Sequence, residues 1–239
     1  MAPEITHHPL ARADGSADFS DNLYTVLAAV NGPIEVQRRD ELPEEAAIEV
    51  NIRPVSGVGS PRERWLESIV HATLRSIILV HLHPRTLVQV TLQISKEPAV
   101  KMTQSTKDVA VLPTLLNAAF FALVDSGVPL GATMNATLGA VVEGSGLEMG
   151  PTEKNLAVAK SVHAMAYNHM GELLLSESTG DLDVLMWEQI ESVAQEACLA
   201  TISRDTEDET MEGGAEASPW VRQTLQAKAE KDNAWKEAT

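Results

Sequence analysis

The stretch Val109–Val128, VAVLPTLLNAAFFALVDSGV, decides how the rest of the chain is read. At helical spacing it is apolar on almost every side, interrupted only by Thr114, Asn117 and Asp125. A helix that is hydrophobic all round must be buried, so the pattern predicts the central helix of a domain. Pro113 then falls within the first turn, where a missing N–H is tolerated, and Ser126-Gly127 supplies a stop. Length argues against a membrane span: the uninterrupted apolar run is shorter than the ~20 residues a crossing needs.

A chain of 239 residues has room for one large domain, or a domain with an appendage. The opening MAPEITHHPL has neither the basic start nor the apolar centre of a signal peptide. The single cysteine, Cys198, lies in a helical pattern and reads as a small buried hydrophobe in a reducing compartment. Net charge is −16, which by itself disfavours nucleic acid, but it is unevenly spread. From Asp108 to Ile202 there are 2 Lys+Arg against 12 Asp+Glu, whereas up to Lys107 the two signs nearly balance. Any polyanion contact is therefore expected in the first half, and a basic partner or solvent against the second.

Upstream of the central helix, ITHHPLARADGSADFSDN carries turn formers and little periodicity, and LYTVLAAV (23–30) reads as a buried strand. Asn31-Gly32-Pro33 reads as a turn and Ile34–Gln37 as a returning strand, a hairpin. In AAIEVNIRP, Ile48, Val50 and Ile52 alternate with polar residues in a half-buried strand that ends at Pro54. Arg62–Val80 is helical, with Trp65, Ile69, Ala72, Ser76 and Leu79 on one face and Leu66, Val70, Leu74 and Ile77 beside it. HPRT (83–86) ends it. LVQVTLQI then alternates cleanly, with Val88, Val90, Leu92 and Ile94 on one face, and the loop SKEPAVKMTQSTK leads into the central helix.

Downstream, Ala132–Val142 reads as a strand and Glu143-Gly144-Ser145-Gly146 as a tight turn. Leu156–Asn168 is ambiguous between strand and helix by periodicity; the Gly-containing turns around it and the ELLLSEST strand favour a hairpin. Leu182–Ile202 is an amphipathic helix with Leu185, Met186, Ile190, Val193, Ala194 and Ala197 inward and Asp181 or Thr179 as its cap. The fold class is α+β, mixed sheets with packed helices, in a domain over residues 1–202. Residues 203–218 form an acidic linker too poor in apolar residues to fold alone. The tail, 219–239, can form a short helix with Trp220, Leu225 and Trp235 exposed, either fraying or docking on a partner. There is no internal repeat.

RADGSADFSDNLYTVLAAVNGP, the RERW helix, HPRTLVQVTLQI and LLNAAFFALVDSGVPLGA stand in the order and spacing of the RNase PH fold (ribosomal protein S5 domain 2-like). From about Leu10 to Ile202 the chain resembles the RNase PH-like ring subunits of the eukaryotic RNA exosome. The resemblance implies a hexameric ring of six RNase PH-like subunits, roofed by RNA-binding cap subunits and associated with catalytic ribonucleases. It implies single-stranded RNA as the threaded substrate, no membrane, a role in rRNA processing and RNA degradation, and residence in nucleus, nucleolus and cytoplasm. No dense Lys/Arg cluster suggests an import signal of its own.

Active members of the family are phosphorolytic 3′→5′ exoribonucleases. A Gly-Thr-Arg-Thr segment at the start of their central helix holds the attacking phosphate, and a set of carboxylates holds a divalent metal. Here the phosphate segment falls on Ala110-Val111-Leu112-Pro113-Thr114, with leucine in place of arginine, and the acidic series on Glu148, Gly150, Lys154 and Lys160. A lysine at a metal position repels the cation. With a shift of register, Glu153 offers one carboxylate. The resemblance therefore implies a subunit that is not an enzyme, with no catalytic residue, no metal site and no cofactor. The alternatives are an active phosphate-dependent 3′→5′ exoribonuclease and an interaction module outside any exosome.

Arg62 and Arg64 border the RNA path in relatives, or form ion pairs with Glu63 and Glu67. Lys96, Lys101 and Lys107 occupy the loop that replaces the phosphate-binding turn and are the best-placed RNA backbone contacts, salt-sensitive and blind to sequence. His81 and His83, spaced i, i+2 before a proline, read as turn residues rather than metal ligands. Asp14-Gly15-Ser16 matches the family's early turn, with a structural role.

Overall fold

The computed structural model describes residues 3–144, 146–202 and 219–237; the acidic linker lies outside them. Two sheets enclose one helix. The first sheet has the order β1-β2-β3-β5-β4, built from β1 (Glu4–His7), β2 (Gly15–Ser20), β3 (Thr25–Glu35), β4 (Ala47–Arg53) and β5 (Thr86–Lys96). Its pairs are antiparallel except β4 with β5, which run parallel across the helix α1 (Pro61–Ile77). The second sheet, order β7-β6-β8-β9, is antiparallel throughout: β6 (Met134–Val142), β7 (Gly146–Met149), β8 (Ala159–Asn168) and β9 (Leu173–Gly180).

Between the sheets lies α2 (Gln104–Ser126), and every residue from Val109 to Leu123 is buried. The helix starts five residues earlier than its apolar pattern, because Thr103 caps a polar first turn outside the core. Pro113 is therefore interior, and the missing N–H costs one bond to the carbonyl of residue 109. At 23 residues α2 is long enough to cross a bilayer, so the length argument against a span does not hold. Its burial between two sheets of its own chain makes it a core helix. Gly127, in the left-handed conformation at φ 72°, ends it.

Several sequence expectations are corrected. Asn31-Gly32-Pro33 is not a hairpin turn but an irregularity within β3, which keeps pairing with β5 on both sides of it. The Gly32 N–H goes to Asp14 Oδ2 at 2.8 Å instead of to the ladder. β1 and β2 occupy the stretch read as aperiodic; the inward residues of β2 are Gly15, Ala17 and Phe19, two of them too small to register as a hydrophobic alternation.

α1 buries the Leu66/Val70/Leu74/Ile77 stripe, whereas Trp65, Ala72 and Ser76 face outward and Trp65 is 44% exposed. α1 ends at Ile77 because the next residues extend to meet the loop after α2, with Leu79 N–H on Pro129 O and Gly131 N–H on Ile77 O. The ambiguous segment divides into the short α3 (Glu153–Ala157) and strand β8. Its lack of alternation has a simple cause: α2 covers one face of β8 and α4 (Val184–Ile202) the other.

α4 buries Ile190, Ala194, Cys198 and Thr201, while Leu185 and Val193 are exposed. Neither Asp181 nor Thr179 caps it: Thr179 lies within β9, and the Asp183 carboxylate accepts from Val184 N–H. Cys198 is buried as expected, and burial pushes its thiol up to about 12. The C-terminal helix α5 (Trp220–Glu237) packs on the domain. Val221 is fully buried, Trp220 and Leu225 are half-buried against the core, and only Trp235 is exposed as expected.

Candidate functional site

The segment that would hold phosphate, Ala110–Thr114, lies in the second and third turns of α2, not at its start. Backbone N–H groups there are committed to the helix, and Val111, Leu112 and Thr114 have no exposed surface. A helix offers anion-binding donors only in its first turn, so this segment presents neither amides nor a guanidinium to a phosphate. The Thr114 hydroxyl donates instead to Asp21 Oδ2. Asp21 Oδ1 accepts from the N–H groups of Leu23 and Tyr24, at 2.7 Å each. Asp21 is thus a clamp between α2 and the β2–β3 turn, with both oxygens occupied.

The positions of the family's metal carboxylates lie nearby. Glu148 on β7 accepts from Asn155 Nδ2 at 2.6 Å, Glu153 begins α3, and Lys154 and Lys160 are exposed. Among the described residues no group of three His, Cys, Asp or Glu side chains is gathered to hold a metal. His81 lies in a single 3-10 turn and His83 just after it, where its carbonyl accepts from the Thr86 hydroxyl.

Between Pro113 of α2 and Gly150 after β7 opens a cavity of about 460 Å³, walled also by Phe19, Asn135 and Trp220. Among the described residues its lining is almost entirely neutral, the one carboxylate being the saturated Asp21. Asn135, 3% exposed, donates from Nδ2 to Thr201 Oγ1 at 2.7 Å, while its Oδ1 has no partner among the described residues.

The basic residues gather around the first turn of α2. Arg62 is bound to Asp108 and lies 3.6 Å from Glu63, which itself closes a capping box with Ser60. Its charge is neutralised by this chain. Arg64, two residues on, points to another side of α1 and is exposed. Lys107 lies 4.0 Å from Glu97, a loose pair; Lys96 at the end of β5 and Lys101 in the following loop are exposed. The fold therefore brings Arg62, Lys96, Lys101 and Lys107 to one end, leaves the lysines available and removes Arg62 from the set.

Asp14-Gly15-Ser16 is structural. Asp14 holds the β3 irregularity, Gly15 touches the α2 backbone, and the Ser16 N–H donates to Asp125 Oδ2 at 2.9 Å. A polar group that sequence reasoning passed over is His163, 1% exposed on β8, with Nδ1 on Ser178 Oγ at 2.8 Å and Nε2 on Ser161 Oγ at 2.9 Å. Burial lowers its pKa from 6.5, so the fold favours the neutral ring. The unfolded chain then binds more protons, and stability falls as pH drops below about 6.5. Urea unfolding at pH 7.5 and 5.0 is expected to show this loss, and His163→Gln is expected to reduce it, leaving the part due to other groups.

The model of the "3' exoribonuclease family, domain 1", RNase_PH, matches residues 3–129. The exosome complex component RRP46 of Saccharomyces cerevisiae is 34% identical over 181 residues, spanning 73% of this chain and 80% of that protein. The crystal structure of rice (Oryza sativa) Rrp46 superposes with a TM-score of 0.69 at 29% identity, covering 81% of this chain and 88% of that one. An Archaeoglobus fulgidus exosome chain, solved with RNA bound to the active site, has a TM-score of 0.64 at 16% identity over 82% and 84% of the two chains, a likeness of fold. With a family match over more than half of its length and a relative of this identity covered over four-fifths of its own length, the chain belongs to the RNase PH family, among its RRP46-type members.

Proposed function

We propose that this chain is a non-catalytic structural subunit of the RNA exosome ring. It would help form the channel through which single-stranded RNA is threaded during 3′→5′ processing and degradation, ribosomal RNA included. The observation that carries this reading is the burial of Leu112, fully enclosed in the interior of α2, where an active relative needs an exposed arginine at a helix start. A side chain without charge, on a backbone without free donors, cannot hold the attacking phosphate. Lysines at two of the metal-carboxylate positions, Lys154 and Lys160, support the same reading, since each repels the cation.

The partners in this reading are other RNase PH-like subunits, RNA-binding cap subunits, and the ribonucleases that supply the chemistry. Lys96, Lys101 and Lys107 are the residues proposed to touch the RNA backbone, with Arg64 at the margin and Arg62 tied to Asp108. The acidic second half suits a basic protein surface rather than RNA. Residence in the nucleus and nucleolus, with a cytoplasmic share, follows from travelling with the complex.

Two measurements on one preparation test the proposal. The purified chain, given RNA, magnesium and inorganic phosphate, is expected to release no nucleoside diphosphates. The tagged chain, drawn from native extract, is expected to co-elute with other RNase PH-like chains. Phosphate-dependent release by the chain alone overturns the catalytic part, and elution without such partners overturns the structural part.

A further inference from the structure

α5 is held on the domain by side chains alone. Among the described residues no backbone hydrogen bond ties it to the rest of the fold. At its start the Trp220 ring lies against Phe19, with centroids 5.9 Å apart, and against Phe121 at 5.8 Å, next to the buried Val221. Two turns on, Lys228 Nζ reaches Asp125 Oδ1 of α2 at 2.9 Å, with the lysine and carboxylate side chains only 11% and 4% exposed. The other Asp125 oxygen accepts from Ser16 N–H and His8 Nδ1, both at 2.9 Å.

Beside these contacts sits His7, the last residue of β1. Its ring stands edge-on to Phe121 at 5.8 Å, and both ring nitrogens are buried without a hydrogen-bond partner among the described residues. A neutral imidazole in that position leaves one donor and one acceptor unmet; an imidazolium leaves two donors and a charge. The charged groups facing it are Asp125 from α2 and Lys228, Lys231 and Asp232 from α5, two of each sign, while β2 sets the uncharged Ala17 opposite. Burial holds His7 below its ordinary value of 6.5, outweighing Asp125, which acts most strongly of these charges and favours the imidazolium.

We propose that α5 is an acid-released strap: it docks while His7 is neutral, and leaves when His7 takes a proton that has no acceptor beneath the helix. Release uncovers the apolar trough of Phe19 and Phe121 and removes the Trp220 wall of the cavity. Undocking also returns both His7 nitrogens to water, which is the source of the driving force.

Amide hydrogen exchange on the full chain at pH 7.5 and 5.5, expressed as protection factors for α5 and α2, tests this. In the unsubstituted protein, α5 protection is expected to fall at pH 5.5, by up to about tenfold for one proton taken up by a group whose ordinary value is 6.5, while α2 keeps its own. His7→Phe, or His7→Met if the first does not fold, is expected to keep α5 protected at both pH values. Trp220→Ala supplies the released reference. Retained α5 protection at pH 5.5 in the unsubstituted protein overturns the proposal, and so does an equal loss in the His7 variants.

Discussion

Replacing Asn117 with leucine is expected to cost about 2–6 kcal/mol, because two buried backbone groups lose their partners at about 1–3 kcal/mol each. The pair belongs to Ala136 on β6. Asn117 Nδ2 donates to the Ala136 carbonyl and the Ala136 N–H donates to Asn117 Oδ1, both at 2.9 Å. These groups need a side chain because β7 pairs with β6 only from Gly139 to Val142. Before that point the edge of β6 is open, and the Asn117 amide stands in for a strand peptide, with one donor and one acceptor correctly spaced. Leucine fits the space and supplies neither. A drop in melting temperature of roughly 10 °C is expected for a chain of this size, with α2 and β6 losing exchange protection first. A change of less than a degree would mean that water or a backbone shift satisfies Ala136 without Asn117.

Gly15→Ala is expected to be at least as damaging, about 3 kcal/mol or more, through overpacking rather than a lost bond. A methyl group at Gly15 would stand 2.2 Å from the Ser126 nitrogen and 2.4 Å from the Ala122 carbonyl oxygen, both in the backbone of α2. No rotamer relieves a contact between two backbones. β2 would have to lift from the helix, breaking the Ser16–Asp125 hydrogen bond and loosening the site where Lys228 of α5 attaches. The expected readout is a lower urea midpoint, with α5 exchanging faster than in the unsubstituted protein. An unchanged midpoint would show that the sheet and helix have slack that the packed Ala17 and Phe19 do not suggest.

Both residues show how local pattern and tertiary role separate. Asn117 was visible as a polar break in an apolar run, and Gly15 as part of a turn. The carbonyl that Asn117 serves and the helix that Gly15 touches lie on other elements, so neither cost could be read from neighbours in the chain. The site divides the same way. The leucine at 112 and the lysines at 154 and 160 are legible as residue types. That residues 110–114 lie in the middle of a helix with their amides spent required Thr103 to be found as the cap. Arg62 reads from the sequence as either an RNA contact or an ion-pair partner of Glu63 and Glu67; its partner Asp108, 46 residues away, is visible only in the fold.

What the sequence by itself determined is the framework: an all-round apolar helix that must be central, a clean alternation in β5, a half-buried β4, and a charge imbalance that puts basic residues in the first half. These rest on periodicities of two and 3.6 residues, which local backbone geometry imposes wherever only one face is buried. What the tertiary structure decided is which face, and against what. The buried stripe of α1, the doubly covered β8, the His163 and His7 environments and the seat of α5 all depend on elements distant in sequence. Burial is a property of the pair of surfaces that meet, and only the folded chain brings the second surface.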